Sequence, residues 1–201
     1  MRKVVAGLFM SLDGVVESPG EWGFQYMDAE MSEGIAAGVA QADAVLLGRR
    51  TYLQFAELWP GQPDSVPMAA FLNKAPKYVV SSTLREPLAW TNSRLIKGDL
   101  VAELEKLKGQ PGKNIQVPGS PRLVRSLLRA GLMDEISLSI CPVVVGSGMR
   151  LFDGMTEKVV LKLVSSRALR TGAVGVTYEP VRAGGGRDEP SPSFPEVASK
   201  G

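Results

Sequence analysis

The sequence predicts an α/β domain built on a largely parallel sheet that is flanked by helices. Apolar runs of strand length alternate with segments of helical periodicity along most of the chain, which is the pattern of α/β folds. The last two apolar runs are separated only by a short turn, so we expect an antiparallel strand pair at the end of the sheet. The 201 residues are enough for one domain of roughly 180 residues and a tail.

Each apolar run is short enough to form one strand. The first begins almost at Met1, but its apolar part is too short for a signal peptide, and we interpret it as a core strand. The turn between the final two strands is expected at residues 170–173. The eight predicted strands are 3–10, 43–48, 77–81, 94–96, 114–117, 135–141, 159–169 and 174–180.

The predicted helices lie between these strands and carry apolar stripes at helical spacing. In the last helix, leucines form the stripe, and the side chains on the opposite face are expected to be solvated: Arg122, Arg125 and Arg129. The predicted helices are 29–41, 49–58, a short one near 68–72, 100–108 and 121–130.

The composition changes abruptly after Pro180. A run of glycines leads into a stretch rich in proline and serine, a composition that does not support a packed core. We therefore predict a domain of residues 1–182 and a flexible tail of residues 183–201.

The residue inventory excludes several classes of site. The chain has no histidine and a single cysteine, Cys141, which excludes Ser-His-Asp and Cys-His catalysis, an intrachain disulfide and a thiolate metal cluster. A net charge of +2 does not indicate a nucleic-acid binder. No apolar run approaches the roughly 18 residues of a membrane span, and nothing directs export, so we expect a soluble, cytoplasmic protein without a metal site.

The end of the second predicted strand has the chemistry of an anion site. A buried apolar run stops at Gly48, and Arg49, Arg50 and Thr51 open the next helix. The free N–H groups and the positive dipole end of a helix attract anions, and arginine can bind two phosphate oxygens at once. The alternative is a pair of arginines on an exposed helical turn.

Two further strand ends carry small polar residues. The third strand ends at Ser81 and is followed by Ser82, and Gly119 and Ser120 follow the fifth. The two serines at positions 81 and 82 are also consistent with an ordinary serine-rich loop. The Gly119-Ser120 pair is also consistent with Ser120 capping the next helix. Because parallel strands end at one edge of a sheet, the three ends together predict a nucleotide crevice there.

Residues 143–152 contain closely spaced glycines but do not match a dinucleotide-binding fingerprint. Leu151 occupies the position of the third glycine, and no clear helix follows. We interpret this segment as a glycine-rich loop at the rim of a site.

The segment after the first strand combines a turn with aromatic residues. Asp13 and Gly14 predict a turn that also places a carboxylate at the strand end. Trp22 and Phe24 follow in a predicted loop, with Asp28 just before a helix. The aromatic side chains either line a planar substrate or cover the core.

The order and spacing of these motifs resembles the dihydrofolate-reductase-like superfamily. The most similar branch is the C-terminal reductase domain of the bifunctional riboflavin-biosynthesis deaminase/reductase, here in a stand-alone form, and the resemblance covers about residues 2–180. The motifs are Ser11-Leu12-Asp13-Gly14, Leu47-Gly48-Arg49-Arg50-Thr51-Tyr52, Val80-Ser81-Ser82-Thr83, Gly119-Ser120 with Leu123, Gly131-Leu132-Met133-Asp134-Glu135, and Pro142-Val143-Val144-Val145-Gly146-Ser147-Gly148 with Arg150-Leu151-Phe152.

The resemblance implies an eight-stranded, mostly parallel sheet that binds NADPH, in a protein that is often a homodimer. A cofactor with a 2′-phosphate also explains the arginines, because the free ribose of NAD is usually bound by a carboxylate. The implied contacts are Gly48, Arg49, Arg50 and Thr51 with the adenosine-side phosphates; Ser81 and Ser82 with the adenine ribose and its 2′-phosphate; Gly119, Ser120 and Leu123 near the diphosphate; and Ala6, Asp13 and Gly14 near the nicotinamide.

The resulting hypothesis is an NADPH-dependent reductase that transfers hydride to a small heterocyclic substrate, similar to a pterin or a pyrimidine, or to a carbonyl compound. Asp13 is the candidate catalytic group, as a polar or proton-relay residue, and Trp22, Phe24 and Asp28 are the candidate substrate contacts. The alternatives are an NADPH-binding module without turnover and an α/β protein that binds no nucleotide. Dihydrofolate reductases have a Gly-Gly pair before the helix that binds the diphosphate, whereas in this chain Pro118 precedes Gly119. This difference favours the NADPH-binding module without turnover.

Overall fold

The strands of the protein form a single eight-stranded sheet. The computed structural model describes residues 1–66 and 68–181. The strands are β1 (Val4–Ser11), β2 (Ala42–Gly48), β3 (Lys77–Val80), β4 (Ser93–Ile96), β5 (Asn114–Pro118), β6 (Glu135–Cys141), β7 (Leu161–Ala168) and β8 (Val174–Pro180). They lie in the order β4-β3-β2-β5-β1-β6-β8-β7.

Six α-helices connect these strands. They are α1 (Pro19–Trp22), α2 (Ala29–Ala40), α3 (Arg49–Leu58), α4 (Ala69–Lys74), α5 (Leu100–Gly109) and α6 (Pro121–Arg129). A single 3₁₀ turn, Phe24–Tyr26, lies between α1 and α2. Among the described residues, no helix is long and apolar enough to cross a membrane.

The predicted fold class is confirmed. The strands from β4 to β6 pair in parallel, whereas β8 is antiparallel to both β6 and β7. The β7–β8 turn is the predicted hairpin, closed by a 2.8 Å hydrogen bond from the Leu169 N–H to the Ala173 carbonyl. The predicted tail, residues 183–201, and the domain boundary at residue 182 lie outside the described residues.

The prediction of an irregular loop between β1 and α2 is wrong at two places. Residues 19–22 form the helix α1, and residues 24–26 form the 3₁₀ turn. Elements of three or four residues are shorter than the window over which helical periodicity can be recognised, so the sequence pattern does not reveal them.

Side chains alternate between two cores on the opposite faces of the sheet. Ala6 and Leu8 of β1 belong to the larger core, which includes residues of α5 and α6. Val45 and Leu47 of β2 belong to the smaller core with Tyr52 of α3. Strands with helices on both faces are apolar on both faces, which explains the nearly continuous apolar run of β2.

Lys77 is a fully buried charge in the smaller core. Its ammonium group donates hydrogen bonds to the carbonyls of Leu72 (2.8 Å) and Ala75 (2.9 Å) at the end of α4. The same group lies 4.5 Å from the centroid of the Trp90 ring, a cation–π contact. The ammonium thus satisfies carbonyls that the end of a helix leaves without intrahelical partners.

We expect Lys77 to make the stability of the protein increase with pH in the alkaline range. Burial lowers the pKa of the Lys77 ammonium to about 8, from an ordinary value of 10.5. Between these values the folded protein binds fewer protons than the unfolded chain, so the free energy of unfolding rises with pH. The measurement is the urea midpoint of the wild-type protein and of Lys77→Met from pH 8 to pH 10.5.

The difference between the two pH profiles of the urea midpoint gives the contribution of Lys77, because the two proteins have all other titrating groups in common. The wild-type midpoint should rise relative to that of Lys77→Met across this range, and parallel profiles would contradict the prediction.

Candidate functional site

The ends of β2 and β5 meet at the carboxyl edge of the sheet, next to Gly7 in the middle of β1. The Gly48 N–H donates a 3.0 Å hydrogen bond to the Ser120 hydroxyl, and the Gly119 N–H donates one of 3.1 Å to the Gly7 carbonyl. Thr51 lies against Gly119, with its methyl group 3.6 Å from the position of a Cβ atom there. The structure therefore brings together two of the three strand ends that the sequence singled out.

The turn between β5 and α6 uses two left-handed residues in succession. Gly119 has φ +66° and Ser120 has φ +54°, a region that is costly for a residue other than glycine. The capping role considered for Ser120 is wrong, because its hydroxyl makes no hydrogen bond to the first turn of α6. That hydroxyl instead joins β5 to β2 through Gly48. Leu123 lies beside the same junction, 3.7 Å from the position of a Cβ atom at Gly48.

Arg49 and Arg50 begin α3 at this edge. Both side chains are exposed, and neither makes an ion pair or a hydrogen bond with any residue in the described part of the chain. α3 has 10 residues, and the N–H groups of its first turn have no intrahelical partners. Two exposed arginine side chains therefore lie in the first turn of α3, at the positive end of the helix dipole.

A surface hollow of about 440 Å³ lies beside Arg49, at the ends of β3 and β4. Ser82 and Thr83 are exposed at its wall. The Ser81 hydroxyl is buried and accepts hydrogen bonds from the N–H groups of Thr83 (3.2 Å) and Leu84 (3.0 Å), so it shapes the loop. We call this the Arg49 hollow; it is lined by Arg49, Val80, Ser81, Ser82, Thr83, Ile96 and Gly98.

Asp13 fastens the glycine-rich loop, residues 143–150, to the end of β1. One carboxylate oxygen accepts hydrogen bonds from the Ser11 hydroxyl (2.7 Å) and the Val145 N–H (3.0 Å). The other accepts from the Gly146 N–H (2.9 Å) and lies 3.4 Å from a guanidinium nitrogen of Arg150. We call this set of contacts the Asp13 clasp. The prediction of a rim loop at residues 143–152 fits this position.

The clasp also determines the protonation state of Asp13. The Ser11 hydroxyl, followed by the Val145 and Gly146 N–H groups, holds the pKa of the Asp13 carboxyl well below its usual range. Asp13 is therefore a carboxylate at neutral pH, with both oxygens bound by donors of the protein, and has no proton to give. These contacts describe a positioning residue, and a direct role in proton transfer stays a prediction.

Further contacts hold the same loop from both sides. The Gly14 carbonyl accepts from the Leu151 N–H (2.9 Å), and Glu17 accepts from the Met149 N–H (2.9 Å). Arg125 and Arg129 of α6 donate to the carbonyls of Asp153 (2.7 Å) and Gly154 (2.6 Å). The prediction of a solvated arginine face on α6 is confirmed for Arg122 and Arg129, which are exposed. It is wrong at Arg125, because a loop distant in sequence folds over that side chain.

The predicted substrate residues do not converge on one surface. The Trp22 indole is buried and donates a 2.8 Å hydrogen bond to the Glu17 carbonyl, and the Asp28 carboxylate caps α2 by accepting from the Met31 N–H. Of the three, Phe24 alone presents much surface: it is 50% exposed. Its ring packs edge-on against Phe9, with centroids 5.3 Å apart.

Two residues bear on the predicted cofactor set. Ala6 is fully buried in the larger core, so its side chain does not reach the crevice. Gly98, which lines the Arg49 hollow, was missed by the sequence analysis, although a glycine two residues after a strand of the same edge is a usable signal. The described residues contain no group of three or more histidine, cysteine, aspartate or glutamate residues that could hold a metal ion.

Comparison with known proteins identifies the family. Residues 2–174 match the family model of the RibD C-terminal domain. The chain belongs to the RibD C-terminal domain family. The family resemblance inferred from the motifs is thereby confirmed.

Relatives within and around this family match nearly the whole chain. "Uncharacterized protein YyaP" of Bacillus subtilis (strain 168) is 32% identical over 181 residues, which cover 88% of this chain and 94% of the relative. A Shewanella sp. PV-4 protein provisionally named as a riboflavin biosynthesis protein has a similar crystal structure, with a TM-score of 0.73 at 22% identity, covering 90% of this chain and 99% of the other. A pyrimidine reductase-like protein from Corynebacterium diphtheriae has a TM-score of 0.67 at 15% identity, with 90% and 93% covered.

We expect Asp13→Asn to loosen the glycine-rich loop of this RibD C-terminal domain. Asparagine offers one acceptor oxygen where the carboxylate provides two, so donors from Val145, Gly146 and Arg150 lose part of their acceptor. Hydrogen exchange at the Val145 and Gly146 amides should become at least about tenfold faster, while exchange within β1 and β6 stays unchanged. Mass spectrometry of peptides that span residues 143–150 measures this.

Glu17→Gln is the matched control. The Glu17 carboxylate accepts a single hydrogen bond from the loop, from the Met149 N–H, and a glutamine oxygen can accept it as well. Exchange in this variant should resemble that of the wild-type protein. If both substitutions accelerated hydrogen exchange in the loop equally, the prediction would be contradicted, because the number of acceptor oxygens at Asp13 would then have no effect.

Proposed function

We propose that the protein is an NADPH-dependent reductase that transfers hydride to a small heterocyclic or carbonyl substrate. Membership of the RibD C-terminal domain family supports a reductase. The observation that carries the cofactor assignment is the free guanidinium of Arg49 on a hollow that is also lined by serine and threonine. This combination matches a phosphate next to a ribose.

The residues present fit a dinucleotide along the carboxyl edge of the sheet. Gly48 and Gly119 let the backbone approach a ligand closely, and α3 and α6 point the N–H groups of their first turns at the same edge. In the proposed complex, the adenine end occupies the Arg49 hollow and the diphosphate lies over the Gly119-Ser120 turn. The nicotinamide end then lies towards β1 and the Asp13 clasp.

When bound, NADPH supplies the hydride, and the protein supplies binding, orientation and electrostatics. Arg49 binds the 2′-phosphate, whose charge a free guanidinium compensates. The Asp13 clasp keeps the glycine-rich loop in place beside the end of β1. Phe24 offers a half-exposed aromatic ring at the same end, against which a planar substrate can pack.

A cofactor-binding module without turnover is the second candidate function. A specific observation favours it: Asp13 is held as a carboxylate, and the carboxylate of Asp28 caps α2. Neither group is set up to deliver a proton to a reduced substrate. This function would be established if the protein bound NADPH tightly and did not oxidise it in the presence of pterins, pyrimidinones or carbonyl compounds.

We further propose that the protein is a homodimer formed through β7. β7 is the last strand of the sheet, so its outer edge pairs with no strand in the described ranges. Leu163 is 49% exposed and Val164 is 51% exposed on this strand. An exposed edge strand that carries apolar side chains can pair with another chain, and a second copy would cover both side chains symmetrically.

We expect Arg49→Ala to weaken NADPH binding by roughly tenfold to a hundredfold, because a hydrogen bond to a charged phosphate is worth about 1.5–3 kcal/mol. NADH binding should change little, since NADH lacks the 2′-phosphate. Arg50→Ala should have a smaller effect, because Arg50 does not line the Arg49 hollow. Titration of nicotinamide fluorescence measures both affinities.

Arg170→Ala is the control, because it removes the same charge from the β7–β8 turn, on the opposite half of the sheet. It should leave the affinities of both nucleotides unchanged. The cofactor assignment is wrong if the wild-type protein shows no saturable NADPH binding at sub-millimolar concentrations or if Arg49→Ala weakens NADPH and NADH equally.

We expect the double variant Leu163→Lys/Val164→Lys to shift a dimer to monomers, since two lysines on each copy would repel their symmetry mates across β7. Sedimentation equilibrium measures the fraction of dimer. Leu58→Lys/Val101→Lys is the matched control, because both residues are exposed apolar side chains on helices. A monomeric wild-type protein, or a dimer that survives the β7 variant, would contradict this interface.

A further inference from the structure

The two sides of the Arg49 hollow come from parts of the chain that are distant in sequence. Arg49 is the first residue of α3, whereas residues 81–83 begin the loop between β3 and β4. We call residues 81–83 the loop wall. Because a guanidinium binds a phosphate only at hydrogen-bond distance, the separation between Arg49 and the loop wall determines which ligand can contact both.

Tyr52 connects these two sides through the smaller core. It lies three residues after Arg49, about one helical turn further along α3, and only 2% of it is exposed. Its hydroxyl accepts a 2.9 Å hydrogen bond from the backbone N–H of Trp90. Trp90 is in the loop that begins with the loop wall, so this hydrogen bond joins α3 to that loop across 38 positions of sequence.

The indole of Trp90 is held on several sides. Trp90 is buried, and its indole N–H donates a 3.1 Å hydrogen bond to the side-chain oxygen of Asn73 in α4. The Lys77 ammonium lies over the indole, and the Tyr52 ring packs beside it with centroids 6.4 Å apart. The backbone N–H of Trp90 is therefore presented to the Tyr52 hydroxyl in a defined position.

The loop wall moves together with Trp90. The Ser81 hydroxyl holds the first turn of the loop by accepting from the N–H groups of Thr83 and Leu84. Leu84 and Leu88, further along the loop, pack against the smaller core that contains Trp90. A displacement of Trp90 away from α3 is therefore transmitted to the loop wall.

We propose that Tyr52 is a positioning residue that gives the Arg49 hollow its preference for a nucleotide with a 2′-phosphate. This inference rests on the proposed reductase function. By holding Trp90, Tyr52 keeps the loop wall close to Arg49. The guanidinium and the hydroxyls of Ser82 and Thr83 then bind the same phosphate. Tyr52→Phe leaves the Trp90 N–H buried without an acceptor, so the loop moves away from α3 and the hollow widens.

The first test compares NADPH with NADH in Tyr52→Phe. Titration of nicotinamide fluorescence should show that this variant binds NADPH about threefold to tenfold more weakly than the wild-type protein, because the contact between Arg49 and the phosphate is lengthened. NADH affinity should change by less than about twofold, since NADH has no phosphate at this position. An unchanged ratio of the two affinities would overturn the proposal.

A double-mutant cycle shows whether Tyr52 acts through Arg49. In the Arg49→Ala background, Tyr52→Phe should have little further effect on NADPH affinity, because the contact that Tyr52 positions is already removed. A purely structural role of Tyr52 would weaken NADPH binding by the same factor in both backgrounds. Additive effects of the two substitutions would therefore overturn the proposal.

Two control variants on β8 separate this role from a loss of stability. Val176→Ala shortens a buried side chain of the larger core and should lower the Tm without changing the affinity for either nucleotide. Tyr178→Phe removes a hydroxyl that makes no hydrogen bond with any residue in the described part of the chain, and it should bind both nucleotides like the wild-type protein. If Val176→Ala weakened NADPH binding as much as Tyr52→Phe does, the effect of Tyr52 would be one of stability and the proposal would be wrong.

Hydrogen exchange tests the structural step without a nucleotide. In Tyr52→Phe, peptides that cover residues 82–90 should exchange at least about tenfold faster than in the wild-type protein, while exchange within β2 and β5 stays unchanged. Unchanged exchange in residues 82–90 would show that Tyr52 does not hold the loop and would overturn the proposal.

Failure of this proposal and failure of the cofactor assignment give different results. If the wild-type protein prefers NADPH in an Arg49-dependent way and Tyr52→Phe keeps that preference, the role of Tyr52 is wrong and the reductase proposal stands. If the wild-type protein binds no NADPH, the cofactor assignment is wrong, and faster exchange in Tyr52→Phe then identifies a structural contact alone.

Discussion

The hydrogen bond from the Gly48 N–H to the Ser120 hydroxyl is the contact on which the candidate site depends. It joins the ends of β2 and β5, which are adjacent in the sheet but 72 residues apart in sequence. Ser120 reaches Gly48 because the turn before α6 has two left-handed residues, so backbone strain at this turn is coupled to the position of α3. Arg49, the next residue after Gly48, is thereby held at the edge where the ends of β3 and β5 also lie.

The class of fold and the location of this edge were predictable from sequence because they depend on local signals. Strand length, helical periodicity and the absence of a helix before β8 are each contained in a short window. Parallel strands must end at a common edge, so Gly48, Ser81 and Gly119 could be grouped before any contact was known. Ser120 shows the limit of such reasoning: a serine before a proline is typical of a helix cap, yet its hydroxyl has a partner on another strand.

The contacts of the glycine-rich loop could not be predicted in the same way. Asp13 and Gly146 are 133 residues apart, and nothing local to either residue identifies the other. Arg125 illustrates the same point, because the spacing of arginines on α6 is that of a solvated face and a distant loop supplies its carbonyl partners. The roles of side chains at this site thus depend on tertiary contacts, and a correct prediction of secondary structure does not reveal them.

Asp13 and Arg49 together show how the charged groups of the site differ in function. The carboxylate of Asp13 has donors of the protein on both oxygens, so its hydrogen-bonding capacity is used in the folded chain. The guanidinium of Arg49 is exposed and has no ion-pair partner among the described residues, so its charge is available to a ligand. Because a charge-assisted hydrogen bond to a phosphate is stronger than one between neutral groups, ligand binding at this edge depends on Arg49, whereas Asp13 acts through the loop that it holds.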